Sequence, residues 1–174
     1  MKNEAINTAP ASQSGATSMA LAQSVGDTAP KQFVDQRSIP GPTRMLMIDT
    51  TPFTGAIAEI PLDGNTLITG QNAAGKTSVI QLMPLFLGVP PSKISDKSQG
   101  KDFFRYYLPR ASSFIAFEYQ HRDGYPRSVI IHSAMSDDKL VFRFVRSALY
   151  EDMFVTENGD FVSSDNLASH LRNR

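Results

Sequence analysis

The chain has 174 residues with 17 basic and 17 acidic side chains, no cysteine and a pI near 6.8, enough for one domain with a real core. Balanced charge gives no overall pull toward nucleic acid or anionic membrane, so polyanion binding would need a local patch. The lack of cysteine excludes disulfides and thiolate metal sites, no apolar run approaches the ~18 residues of a membrane span, and Met19-Ala-Leu-Ala22 is too short for a secretory segment, so the expected location is cytoplasmic.

Residues 1–40 are dominated by Ala, Ser, Thr, Gln and Asn, with scarcely a large apolar side chain before Phe33. Such a stretch buries too little surface to offset its ordering entropy, so it reads as a disordered tail ending at Pro40-Gly-Pro42. A short helix over Met19 to Val25 is the alternative.

Residues 41–174 then read as one nucleotide-binding lobe. Met45 to Asp49 and Ala56 to Ile60 read as strands around a turn containing Pro52 and Gly55. Asp63-Gly64 leads into a third strand, Asn65 to Thr69. Gly70-Gln-Asn-Ala-Ala-Gly-Lys-Thr77 follows and fits the phosphate-binding pattern G-x-x-x-x-G-K-[ST]. Lys76 to Leu87 carries Val79, Ile80, Leu82, Met83, Phe86 and Leu87 at helical spacing, with Pro84 predicting a kink or an early end and Gly88 a stop.

Strand, glycine loop and helix are the order in which backbone N–H groups curl around phosphates. In that arrangement Lys76 reaches the β- and γ-phosphates, the Thr77 hydroxyl binds Mg²⁺, and the N–H groups of Gly70, Gln71, Asn72, Ala73, Ala74, Gly75, Lys76, Thr77 and Ser78 are candidates for the remaining oxygens. The expected ligand is ATP or GTP with Mg²⁺. The competing reading is an ordinary glycine turn followed by a solvated lysine.

Beyond the helix, Lys93, Lys97, Lys101 and Arg105 recur every four residues. On one continuous helix they would share a face suited to DNA phosphates. Gly100 and the serines speak for a solvated linker instead. Phe103, Phe104, Tyr106 and Tyr107 read as core rather than a base-stacking platform. Ser113 to Tyr119, Ser128 to Ser133 and Leu140 to Val145 read as an antiparallel meander, turning at Asp123-Gly124 and Asp137-Asp138. A small hairpin at Asn158-Gly159 and a helix capped at Ser164 or Asp165 complete the series. His121 and His132 have no metal-ligand partner at a useful spacing. Gln120 ends a strand as a water-positioning glutamine would.

Hydrolysis needs an acid at the end of a hydrophobic strand to help hold Mg²⁺ and a group to position water. Asp49 and Glu118 end apolar strands, but neither shows paired acids, so both read as sheet residues facing solvent. Little hydrolysis is expected from this chain alone.

Two leading strands, Leu67-Ile-Thr-Gly-Gln-Asn-Ala-Ala-Gly-Lys-Thr77, an apolar helix ending at Leu87-Gly88 and a three-stranded meander resemble the N-terminal lobe of an ABC-type head in the SMC superfamily, which includes RecF-like and MukB-like ATPases. Asn72 falls on the asparagine of that family's loop, while Ala73 replaces its usual glycine. The resemblance implies an α/β fold of α+β character, with a mixed or antiparallel sheet packed on the P-loop helix. It implies ATP sandwiched between two heads, a C-terminal head half and a second head as partners, and action on DNA in chromosome organisation, repair or defence. The coiled coil and signature motif of that family are not found in these residues, so the chain reads as part of a head. A self-contained P-loop kinase or GTPase, or a non-hydrolysing interaction module, are the alternatives.

Overall fold

The computed structural model describes residues 23–24, 40–71, 74–95, 102–134 and 139–173. Its centre is a five-stranded sheet in the order β3-β2-β5-β6-β7, with β2 Gly41–Ile48, β3 Ile57–Pro61, β5 Phe114–Gln120, β6 Pro126–Ser133 and β7 Leu140–Val145. Every neighbouring pair in that sheet is antiparallel, which settles the expected choice between mixed and antiparallel.

The β5-β6-β7 meander follows its turn signals. Gly124 takes the left-handed backbone (φ 85) that the Asp123-Gly124 hairpin demands. The Ala134 N–H donates to Lys139 O at 2.9 Å, joining the ends of the second connection. The turn residues Asp137 and Asp138 themselves lie outside the described residues.

Both faces of the sheet are covered, and side-chain alternation shows how. Met45 and Met47 of β2, Ile115 and Phe117 of β5, and Val129 and Ile131 of β6 face one core; Leu46, Ile48, Phe114, Ala116 and Ile130 face the other. That double burial is why β2 and β5 read as unbroken apolar runs rather than as alternating strands.

The first core is closed by α1 Lys76–Phe86 and α3 Phe103–Tyr107 through Val79, Leu82, Leu85, Phe103, Phe104 and Tyr107. The second is closed by the segment after β7, through Leu149, Met153, Phe154, Val162 and Leu167 of α4 Ser164–Arg172. The result is three layers with the sheet in the middle. The Asn158-Gly159 hairpin closes with a Val155–Phe161 bridge, and the α4 cap is Ser163, one residue before the expected one.

The strand before the loop departs from expectation. Only Thr66–Leu67 (β4) is extended and paired, and its partner is Gln23–Ser24 (β1), apart from the five-stranded sheet. These two β1 residues lie in the stretch read as tail; the rest of residues 1–39 lies outside the described residues. Helix α1 keeps Pro84 in its last turn and runs to Phe86. It ends where Gly88 turns left-handed (φ 78), with Gly88 N–H on Leu85 O at 3.0 Å and Val89 N–H on Pro84 O at 3.1 Å. Those two bonds satisfy the last carbonyls. Among the described residues no helix is long and apolar enough to cross a membrane.

Candidate functional site

The loop enters α1 at Gly75, whose backbone is left-handed (φ 83). Glycine is required there twice over. An L side chain resists that φ, and an added Cβ would lie 3.0 Å from Pro52 Cβ and 3.2 Å from Phe53 Cζ. The Thr51–Phe53 turn therefore packs against the loop at Gly75, where the chain enters α1.

Lys76 Nζ donates to Gly70 O at 2.7 Å and Gln71 O at 2.6 Å, so the ammonium spans the loop from its helical side. The Ala74 N–H donates to Gln71 O at 3.2 Å, and the first bond inside the helix runs from Val79 N–H to Gly75 O at 3.0 Å. No side chain caps this N-terminus. The N–H groups of Lys76, Thr77 and Ser78 belong to the first turn, where the helix offers no internal acceptor and its dipole favours an anion.

Thr77 is exposed beside these amides. The Ser78 side chain is buried (6% exposed) and bonds Tyr107, so it offers a ligand only its backbone. Burial raises the Tyr107 phenol above its ordinary pKa, and the hydroxyl donates to Gln81 Oε1 at 2.9 Å. Asn72 and Ala73 lie outside the described residues.

The basic series does not form the helical face its spacing suggested. Lys93 sits on α2 Pro91–Ile94, which ends in extended backbone at Ser95, and Arg105 sits on α3. The start of α3 is fixed by Asp102, whose carboxylate accepts from the N–H groups of Phe104 (3.0 Å) and Arg105 (3.2 Å). Lys97 and Lys101 lie outside the described residues; Lys93 and Arg105 are both exposed. Phe103, Phe104 and Tyr107 are core, as read.

Both strand-end acids were misread as solvent-facing. Asp49 is 5% exposed and occupies a left-handed backbone (φ 47). Its carboxylate accepts from Gly55 N–H (2.9 Å), Arg110 Nη1 (3.1 Å) and Ser112 Oγ (2.6 Å). Glu118 accepts from Arg44 Nη2 (3.0 Å), Thr43 Oγ1 (3.1 Å) and the Leu149 N–H (2.7 Å). Each acid ties distant segments together, a relationship that local sequence does not carry. Gln120 Nε2 donates to Gly124 O within its own hairpin.

Among the described residues no group of three or more His, Asp or Glu side chains is placed to hold a metal. A cleft of about 600 Å³ lies between the turn after α1, the start of α3 and β7, and another of about 400 Å³ lies at Tyr125, Arg146 and Tyr150. Neither is lined by residues 70–78.

Residues 46–174 match a protein family described only as a protein of unknown function, DUF3584. The chain belongs to that family. No curated protein and no solved structure matches it.

Proposed function

We propose that residues 70–78 bind the phosphates of ATP, as the nucleotide site of an SMC/RecF-like ATPase head that acts on DNA. The observation that carries this reading is the Lys76 ammonium folded onto the Gly70 and Gln71 carbonyls at an uncapped helix N-terminus. An incoming triphosphate offers that ammonium stronger, charged acceptors than two carbonyls. The amides of residues 75–78, with those of 70–73 and with that of Ala74 once it leaves Gln71 O, would hold the remaining oxygens.

Mg²⁺ would be held by the Thr77 hydroxyl together with phosphate oxygens. When bound it neutralises charge on the triphosphate. The exposed hydroxyl beside the first-turn amides fits one such ligand position. The P-loop, ABC-type fold belongs to the same proposal. An antiparallel sheet packed on α1 supports it, while the pairing of β4 outside that sheet is a departure from the family pattern.

The partners implied are a C-terminal head half and a second head. DNA would be met by the assembled head, with the exposed Lys93 and Arg105 as the described members of the basic series. The test is a fluorescent-nucleotide titration. Saturable ATP binding by the wild type that Lys76→Ala abolishes, with circular dichroism unchanged, supports the reading; no saturable binding refutes it.

A further inference from the structure

We propose that the turn from Asp49 to Gly55 is the nucleotide-responsive element packed against the loop, with Asp49 as its positioning residue. This rests on the reading of residues 70–78 as a phosphate site.

Two unusual features stand side by side at the start of this turn. Asp49 is the one non-glycine residue with positive φ among the described residues. The next side chain, Thr50, is fully buried with a hydroxyl that has no hydrogen-bond partner. A turn joining two antiparallel strands requires neither a buried carboxylate at its left-handed position nor an unpaired hydroxyl beside it. Aspartate tolerates left-handed backbone, and here the bonds to its buried carboxylate hold it there. An orphaned buried hydroxyl calls for an explanation beyond packing.

The geometry identifies what these bonds hold. Asp49 accepts from Gly55 N–H at the far end of the turn, and Phe53 N–H donates to Thr50 O at 2.9 Å. Those bonds fix Pro52 and Phe53, which lie so close to Gly75 that a Cβ there would meet them at 3.0 and 3.2 Å. Arg110 anchors the assembly through both the carboxylate and the carbonyl of Asp49, each at 3.1 Å.

Gly75 is the cap from which the first-turn amides of α1 are aimed. Any change in its backbone on anion binding must therefore be met by Pro52 and Phe53, and passed to the bonds that Thr50 and Asp49 hold. By linkage, a turn held in place by Asp49 raises phosphate affinity, and bound phosphate in turn steadies the turn.

The experiment is amide hydrogen exchange on the full chain, following the segment from Asp49 to Ala56 with and without MgATP, and again with tripolyphosphate, which carries no base. Alongside it, ATP affinity is measured for wild type and Asp49→Asn, a near-isosteric change that removes the charge. The expected result is slower exchange at Phe53 and Gly55 with either ligand, and at least tenfold weaker ATP binding by Asp49→Asn. Three results overturn the proposal. If ATP binds while exchange in the turn and the affinity of Asp49→Asn match the apo and wild-type values, the coupling is absent though the phosphate site stands. Protection by ATP but not by tripolyphosphate would mean direct contact from the base rather than transmission through Gly75. If the wild type binds no ATP, the site and the coupling fall together.

Discussion

Gly75 and Pro52 are packed so closely that a single methyl group on Gly75 would lie 3.0 Å from the proline Cβ. Gly75→Ala therefore meets two costs, a left-handed backbone worth about 1–2 kcal/mol and a clash with the Thr51–Phe53 turn. The expected outcome is an unfolding free energy lowered by at least that amount and a loss of ATP affinity. Gly64→Ala is the control, with nothing within 4 Å of its Cβ and no positive φ. Urea unfolding of the two variants checks this.

Packing of α1 on the sheet makes a second contrast. Leu82 is fully buried in the core shared with Met45 and Phe117, so Leu82→Ala should cost about 2–5 kcal/mol. Ile80, two residues earlier, is 63% exposed, and Ile80→Ala should stay within about 0.5 kcal/mol of wild type. Equal effects in chemical denaturation would contradict the placement of the helix.

His132 gives the fold a pH dependence. Its Nδ1 faces Ser133 O at 3.0 Å, its Nε2 accepts from Arg143 Nε at 3.3 Å, and its ring meets Phe114 edge-on. Burial above all, with the Arg143 charge, holds the imidazole below its ordinary 6.5, against the opposing pull of the Ser133 carbonyl and Asp165. The unfolded chain then takes up a proton before the folded one does. Stability from this group is complete above pH 6.5 and falls as pH drops toward the folded value, by at most about 1.4 kcal/mol per pH unit. Thermal melts from pH 7.5 to 5 should show the decline, and His132→Phe should flatten it.

Turnover is the fourth expectation. Asp49 and Glu118 are both committed to structural partners. Neither is available to hold Mg²⁺, so the chain alone should hydrolyse ATP at or near background. Addition of a C-terminal head half should raise the rate. Full activity alone would favour a self-contained kinase or GTPase, and none in either case an interaction module.

What the sequence made legible follows from what local pattern encodes. The meander was readable because Asp123-Gly124 and alternating apolar residues are short-range signals, and α1 because its apolar residues recur at helical spacing. The neighbours β2 and β5 were not readable as a pair, since their register joins Met45 to Phe117 across the intervening strands β3 and β4 and helices α1 to α3. The loop was visible as eight contiguous residues. Its packing against the Thr51–Phe53 turn was not, because Pro52 and Phe53 meet Gly75 only in three dimensions. The acids were misread for the same reason: the arginines that hold them, Arg110 for Asp49 and Arg44 for Glu118, come from separate parts of the chain. The four-residue repeat of basic residues does not lie on one helix, in keeping with the linker reading that Gly100 and the serines favour: α2 ends in extended backbone at Ser95 and Asp102 caps the start of α3.

The most direct measurement is a two-dimensional amide NMR titration of the chain with MgATP, following the resonances of Gly75, Lys76, Thr77 and Ser78. Saturable shifts concentrated on those four amides, absent in Lys76→Ala, are the predicted result. Unmoved resonances at millimolar MgATP, or shifts confined to another surface such as the Tyr125 and Tyr150 cleft, would contradict the assignment of the loop as a phosphate site.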